Sequence, residues 1–192
     1  MAGPRLKERI ITNTQKLPPK IREYLEKVRV PMSVANLTDD MALVFANDAF
    51  CHLTGYSRDE IVGRNCRFLQ GVATIDETRQ DLSDFLQDTA RDSGRFPVVN
   101  YRKNGSEFDN FVFMTRLRAP DRETRFILAS QVDLTSTTRR ANLLSSDRKL
   151  LGAMSDLDRM TREAGLTMVN SAQAISDSVA LLAKISLDND SI

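Results

Sequence analysis

One octapeptide, Gly63-Arg64-Asn65-Cys66-Arg67-Phe68-Leu69-Gln70, places a single cysteine in a polar, cationic loop. The loop follows an amphipathic run of the chain. Because the reactivity of a thiol depends on its surroundings, a cysteine flanked by arginines is a candidate for a partly exposed thiol with a low pKa. We therefore expect Cys66 to be the chemically active residue.

The composition limits the classes of protein and partner. The 192 residues, of which 41% are hydrophobic, predict one globular domain with extensions. A net charge of +1 gives no bulk attraction to nucleic acid or to an anionic membrane. No apolar run reaches the ~18 residues that span a bilayer, and the N-terminal segment lacks the apolar middle of a signal peptide. We expect a cytoplasmic protein whose partners are other proteins or small ligands.

The sequence excludes most ordinary thiol chemistry. Two cysteines and one histidine, Cys51, Cys66 and His52, give neither a disulfide framework nor a metal site. A Cys/His nucleophile needs an imidazole, and His52 lies in a helical stretch where a surface position is favoured. The glycines form no phosphate-binding loop. We assign no metal and no enzymatic activity, and we expect Cys51 to be a buried structural residue.

The chain divides into three zones. Residues 1–29 are charged and end with Ile21, Leu25 and Val28 at helical spacing, which predicts an N-terminal cap helix. Residues 30–135 mix strand and helix patterns, and residues 136–192 are predicted to form a helical extension.

The middle zone predicts an α+β fold, a five-stranded antiparallel sheet with helices on one face. Asn104-Gly105 is a strong hairpin signal between two strands. The expected strands are 30–37, 41–46, 96–103, 107–118 and 125–134, and the expected helical segments lie within 48–70 and 75–90.

The C-terminal zone shows a heptad-like pattern that begins at Leu143 and includes Met154 and Leu157. Several polar a and d positions and Gly165 weaken it, so one rod or two helices remain open. Two structures are compatible with the pattern: a dimer-forming signalling helix, or a stretch that packs back on the sheet.

Several motifs in the middle zone resemble one family. The octapeptide is similar to the GxNCRFLQ signature of LOV (light, oxygen, voltage) domains, a branch of the PAS fold. Asn100-Tyr101-Arg102-Lys103-Asn104-Gly105 resembles that family's NYRKDG hairpin, and Asn110 and Gln131 stand where the family has amides that face a flavin. The lead-in from Asn47 to Ser57 is also similar, and the resemblance covers 30–135.

The resemblance implies a flavin site, with FMN as the cofactor and riboflavin or FAD as alternatives. Asn100, Asn110 and Gln131 offer both donors and acceptors to the polar edge of the ring. The residues implied for the cofactor are Phe50, Asn65, Arg67, Gln70, Arg79, Asn100, Asn110, Val112, Met114 and Gln131, with Cys66 as the photochemical residue.

The phosphate end of the implied site departs from the family. Gln70 and Arg67 are the expected contacts, with Arg67 giving a charge-assisted bond. Many family members place a second arginine where this chain has Ser83. Arg79 lies one turn earlier on the same helical face and is the expected substitute. We therefore expect weakened FMN binding, or competition from riboflavin.

The resemblance also implies a mechanism. Blue light excites the flavin, the sulfur of Cys66 bonds to carbon C4a, and N5 is protonated. Gln131 must then rearrange its hydrogen bond, and the strain passes into the C-terminal zone. We expect a reversible photoreceptor that acts through a homodimer of its terminal helices or through a downstream signalling protein.

Two other functions remain open from the sequence. One is the sensory fragment of a light-regulated histidine kinase, although residues 136–192 contain no histidine to accept a phosphoryl group. The other is a flavin redox sensor that forms no bond to cysteine.

Overall fold

A computed structural model describes residues 16–38, 40–135 and 143–168, with the side chains of the last segment described from residue 152 onward. The predicted cap region before residue 16 lies outside the described residues. The elements are α1 (Pro19–Lys27), β1 (Met32–Asn36), β2 (Leu43–Ala46), α2 (Asp48–Thr54), α3 (Arg58–Ile61), a 3-10 helix (Cys66–Leu69), α4 (Asp76–Gln87), β3 (Ser93–Tyr101), β4 (Glu107–Arg118), β5 (Thr124–Asp133), α5 (Leu143–Glu163) and β6 (Thr167–Met168).

The sheet is antiparallel, with the strand order β2-β1-β5-β4-β3. The predicted α+β class and antiparallel arrangement are confirmed. A sixth strand, β6, pairs Met168 with Leu117 of β4, beyond the point where β3 ends its pairing at Ser93 and Thr115. The sequence did not predict β6 because a two-residue strand is too short to show a period.

Alternation along the strands gives the sheet two different faces. On β4, Asn110 and Val112 face inward to α4 and the 3-10 helix, whereas Phe113 and Leu117 face outward. The outer face is covered by α1 and by the C-terminal segment. Their shared apolar cluster contains Leu17, Ile21, Leu25, Met32, Val34, Phe45, Phe113, Leu117, Phe126, Leu128, Met154, Leu157, Leu166 and Met168.

The C-terminal helix packs on the sheet of its own chain. Met154, Leu157 and Thr161, three positions of the expected heptad seam, are 1%, 0% and 0% exposed. These three seam positions are therefore buried within the chain, which favours packing back over a free dimer seam. The seam residues from 169 onward lie outside the described residues.

Gly165 ends this helix. Its φ of 72° is left-handed, and the Leu166 N–H donates to the Thr161 carbonyl at 2.7 Å, the arrangement of a Schellman cap. The described residues therefore support a break at Gly165, after which the chain returns to the sheet as β6.

Asn47 joins three elements at the edge of the sheet. Its side chain is fully buried, and Nδ2 lies 3.2, 2.9 and 2.8 Å from the carbonyls of Leu25, Val28 and Val30. Its Oδ1 accepts from the N–H of Met32 and of Phe50, both at 3.0 Å. One amide thus fixes the end of α1, the start of β1 and the N-terminus of α2.

We expect Asn47→Ala to lower the free energy of unfolding by about 3 kcal/mol, because it leaves several buried backbone groups without partners. Asn47→Asp keeps the acceptor oxygen and removes the donors, so it should also destabilise. Asn104→Ala, in an exposed turn where Asn104 Oδ1 accepts from Ser106, should cost less than about 1 kcal/mol. Urea denaturation measures all three, and an Asn47→Asp protein as stable as wild type would contradict a role for the donors.

Candidate functional site

A cavity of about 660 Å³ lies between the inner face of the sheet, the 3-10 helix and α4. This volume is within the range of small-molecule sites. Ten of the eleven expected site residues line it: Asn65, Cys66, Arg67, Gln70, Arg79, Asn100, Asn110, Val112, Met114 and Gln131. Residues that are distant in sequence therefore meet around one space.

Phe50 is the exception among the expected site residues. It is fully buried in a cluster with Leu43 and Leu69 and does not line the cavity. The reason is local, since the N-cap Asn47 accepts from the Phe50 N–H and sets the direction in which α2 begins. Phe50 therefore supports the cysteine segment from behind.

The walls of the cavity are mainly apolar. Leu82 of α4 approaches from one side, and Val98, Val112 and Ala129 of the sheet form the other. Met114 packs against the same cluster and lines the cavity. Such walls suit a flat, largely apolar ring system.

The polar edge of the cavity consists of three amides. Asn100, Asn110 and Gln131 are 4%, 2% and 2% exposed. Asn110 Nδ2 donates to Asn100 Oδ1 at 2.8 Å, and Gln131 Nε2 donates to Ser33 Oγ at 3.3 Å. Asn110 Oδ1 and Gln131 Oε1 are buried and have no hydrogen-bond partner among the described residues.

Two unpartnered carbonyl oxygens beside one cavity call for a ligand. A buried acceptor without a donor costs about 1–3 kcal/mol, so such atoms are rare unless a bound group satisfies them. The ring edge of a flavin carries both N–H donors and acceptor atoms. The residues present therefore fit a flavin.

The cysteine segment is attached to the start of β2. The Leu43 N–H donates to the Arg64 carbonyl at 2.9 Å, and the Gly63 N–H donates to the Leu43 carbonyl at 2.8 Å. Asn65 then caps the 3-10 helix, because its Oδ1 accepts from the Arg67 N–H at 2.9 Å. These bonds place Cys66 at the cavity wall.

The expectation of a low pKa for Cys66 is wrong. The residue is half-buried, and burial raises the pKa of its thiol to about 12. The flanking arginines point elsewhere: the Arg64 guanidinium lies 4.6 Å from the centre of the Phe68 ring, and Arg67 Nη1 bonds to Asp40 Oδ2 at 2.5 Å. Cys66 is therefore a neutral thiol at ordinary pH.

Each arginine at the cavity already has an acidic partner. Arg67 pairs with Asp40, which also lines the cavity and was not foreseen from the sequence. Arg79 donates to Asp76 Oδ1 at 2.5 Å and to the Gly71 carbonyl at 2.7 Å. Ser83 lines the cavity from α4.

A buried arginine fixes the helix that covers the cavity. Arg116 is 1% exposed, and its guanidinium donates to the carbonyl of Phe85 in the last turn of α4 at 2.7 Å and to that of Arg91, between α4 and β3, at 2.9 Å. Burial lowers its pKa. The sequence signal for Arg116 is its position, because it follows Asn110, Val112 and Met114 at period two on the inward-facing side of β4.

Comparison with known proteins places the chain in a family. A sequence family described as the PAS domain matches residues 31–136, so the chain belongs to the PAS family. A blue-light-activated histidine kinase of Rhizobium johnstonii is 34% identical over 131 residues, which cover 66% of this chain and 36% of the kinase. The chain thus spans about a third of that relative.

Solved structures narrow the class. The Rhodobacter sphaeroides LOV protein is 25% identical with a TM-score of 0.69, covering 87% of this chain and 90% of its own. The LOV domain of the Erythrobacter litoralis EL346 blue-light activated histidine kinase is 34% identical with a TM-score of 0.53, covering 56% of this chain and 97% of its own. Within the PAS family, the chain contains a LOV domain.

Within residues 16–38, 40–135 and 143–168, no helix has the length and apolar character to cross a bilayer. The same residues contain no group of three His, Cys, Asp or Glu side chains arranged for a metal ion.

The raised pKa of Cys66 predicts a loss of stability in alkali. The unfolded thiol ionises near its ordinary value of 9.0, whereas the folded thiol keeps its proton to about 12. The protonated thiol contributes fully to the free energy of unfolding below pH 9. This contribution falls as the pH rises from there, by about 1 kcal/mol at pH 10. Denaturation of wild type and Cys66→Ala at pH 8 and pH 10 measures this, because other titrating groups are common to both. A stability difference that does not change with pH would contradict it.

Proposed function

We propose that this chain is a blue-light receptor that binds a flavin and forms a reversible bond between the sulfur of Cys66 and carbon C4a of the ring. The observation that supports it is the meeting of a neutral thiol and three buried amides around one cavity. The bound flavin would supply light absorption and an electrophilic carbon. The blue-light receptors among the relatives are consistent with this function.

The neutral state of Cys66 fits the proposed reaction. A bound flavin would supply the electrophilic C4a–N5 double bond, and Cys66 would supply both the sulfur that adds to C4a and the proton that N5 takes up. No external oxidant, reductant or base is needed, because the thiol brings its own proton. In the dark the sulfur of Cys66 would take back its proton as its bond to the ring breaks.

Gln131 would detect the change, because N5 would turn from an acceptor into a donor beside its amide. The same strand carries Phe126 and Leu128 on its outer face, in the cluster that contacts α1 and α5. A shift of β5 can therefore reach both terminal helices. This extends the expected route, which led only along the chain into the C-terminal zone.

FMN is the proposed cofactor, with riboflavin and FAD as alternatives. Gln70, Arg67 and Arg79 line the cavity and would contact ribityl or phosphate oxygens. A phosphate would compete with Asp40 and Asp76 for these arginines, and Ser83 offers no charge in their place. This supports weak discrimination between FMN and riboflavin.

Absorbance under blue light tests the proposed function. Wild type purified with its flavin should lose its visible band on illumination and regain it in darkness, and the released flavin identifies the cofactor. Cys66→Ala should bind flavin and show no reversible loss, because the sulfur is absent. Cys51→Ala is the matched control, since Cys51 packs in the cluster behind the cavity and does not line it. A reversible loss in Cys66→Ala would favour the redox-sensor alternative.

We also propose that light changes a dimer or partner contact made by the terminal helices. Tyr24 of α1 donates to the Ala153 carbonyl at 3.1 Å, so the two helices are linked on the outer face. The alternative, a sensory fragment of a histidine kinase, is favoured by the kinases among the relatives.

Size-exclusion elution in darkness and under blue light measures this output. Wild type should change its elution volume, and Cys66→Ala should elute identically in both conditions. A wild-type mass that light leaves unchanged would rule out dimerisation as the output.

A further inference from the structure

Ser33 is a buried polar residue that the resemblance did not assign. It is 2% exposed, lies on the inner face of β1 and lines the same cavity as Cys66. We propose that Ser33 is the positioning residue that stabilises Gln131 in its light-state orientation and thereby lengthens the life of that state. This inference rests on the proposed function.

The register explains why the two side chains meet. Ser33 lies opposite Ala129 in the pairing of β1 with β5, and the Gln131 N–H donates to the Pro31 carbonyl at 3.0 Å. Ser33 and Gln131 are therefore diagonal neighbours on one face, within reach of a long side chain. Their contact, from Nε2 to Oγ, is 3.3 Å.

The hydroxyl of Ser33 suits both orientations of the amide. A serine hydroxyl donates one proton and accepts through its lone pairs, so it can pair with either end of a glutamine. When the ring atom beside Gln131 is an acceptor, Nε2 turns toward the ring and Oε1 toward Ser33. When that atom is a donor, Oε1 turns toward the ring and Nε2 toward Ser33.

The structure contains the second of these orientations. Gln131 Nε2 donates to Ser33, and Oε1 is buried without a partner, free to accept from a donor. Without the hydroxyl, this orientation would leave a buried N–H unsatisfied, whereas the other would leave a carbonyl oxygen. Buried N–H groups without partners are rarer than under-satisfied carbonyls. Loss of the hydroxyl therefore destabilises the light state more than the dark state.

A substitution of Ser33 should change the stability of the light state through its side chain alone. The backbone around Ser33 is fixed independently, because the Met32 N–H donates to Asn47 Oδ1 at 3.0 Å and β1 pairs on both edges. Threonine and valine have nearly the same shape and differ by the hydroxyl. Ser33→Thr and Ser33→Val are thus a matched pair in which packing changes cancel.

Dark recovery after a light pulse is the first measurement. Ser33→Val should recover about tenfold faster than Ser33→Thr, which corresponds to about 1.4 kcal/mol. In a Gln131→Leu background the difference in recovery rate between Ser33→Thr and Ser33→Val should disappear, because the amide that forms a hydrogen bond with the hydroxyl is absent. A purely structural role of Ser33 would leave the difference intact in that background.

A second measurement does not depend on photochemistry. The side-chain amide protons of Gln131, observed by nuclear magnetic resonance in the flavin-free protein, should exchange faster with solvent in Ser33→Val than in Ser33→Thr, because Nε2 donates to Ser33 when no ring is present. Equal exchange together with equal recovery would overturn the role of Ser33. A wild-type protein that binds no flavin or shows no reversible loss of absorbance would instead overturn the proposed function.

Discussion

The side chain of Asn47 is the constraint on which the architecture depends. Helix α1 covers the outer face of the sheet and the cysteine segment closes the inner face, so both layers must be held in position relative to the same strands. Asn47 holds them there, because its side-chain amide forms hydrogen bonds to the end of α1, to the first residue of β1 and to the start of α2. The carbonyl of Met32 in turn accepts from the Asn47 N–H at 3.1 Å. Both layers are thereby fixed to one strand.

The cavity separates its chemistry by location. Apolar side chains form the walls, buried amides form one edge, and arginines with acidic partners lie at the other end. Cys66 lies in a region of low polarity, so its thiol stays protonated. A thiolate is the nucleophilic form of a cysteine, and a neutral thiol reacts with electrophiles more slowly. The half-buried position of Cys66 thus keeps its thiol in the less reactive form.

Sequence reasoning was most successful where a motif fixes a local backbone. The octapeptide and the strand amides supply seven of the ten expected residues that line the cavity, and strand alternation explains why the amides share one face of the sheet. It failed where tertiary contacts decide. The low pKa expected for Cys66 assumed that Arg64 and Arg67 face the sulfur, but Phe68 and Asp40 bind them. The heptad pattern of 136–192 did not say which surface its apolar face would cover.

The end of α5 has a consequence for any partner that binds its apolar face. After Gly165 the chain continues into β6, which is hydrogen-bonded to β4. If the helix leaves the sheet, this second attachment keeps it nearby, at a high effective concentration relative to its own docking site. A partner that binds the apolar face of α5 must therefore compete with the sheet of the same chain, which is always close to the helix. Only partners of high affinity or high concentration would displace the helix, so the attachment through β6 sets a lower limit on the affinity of an effective partner.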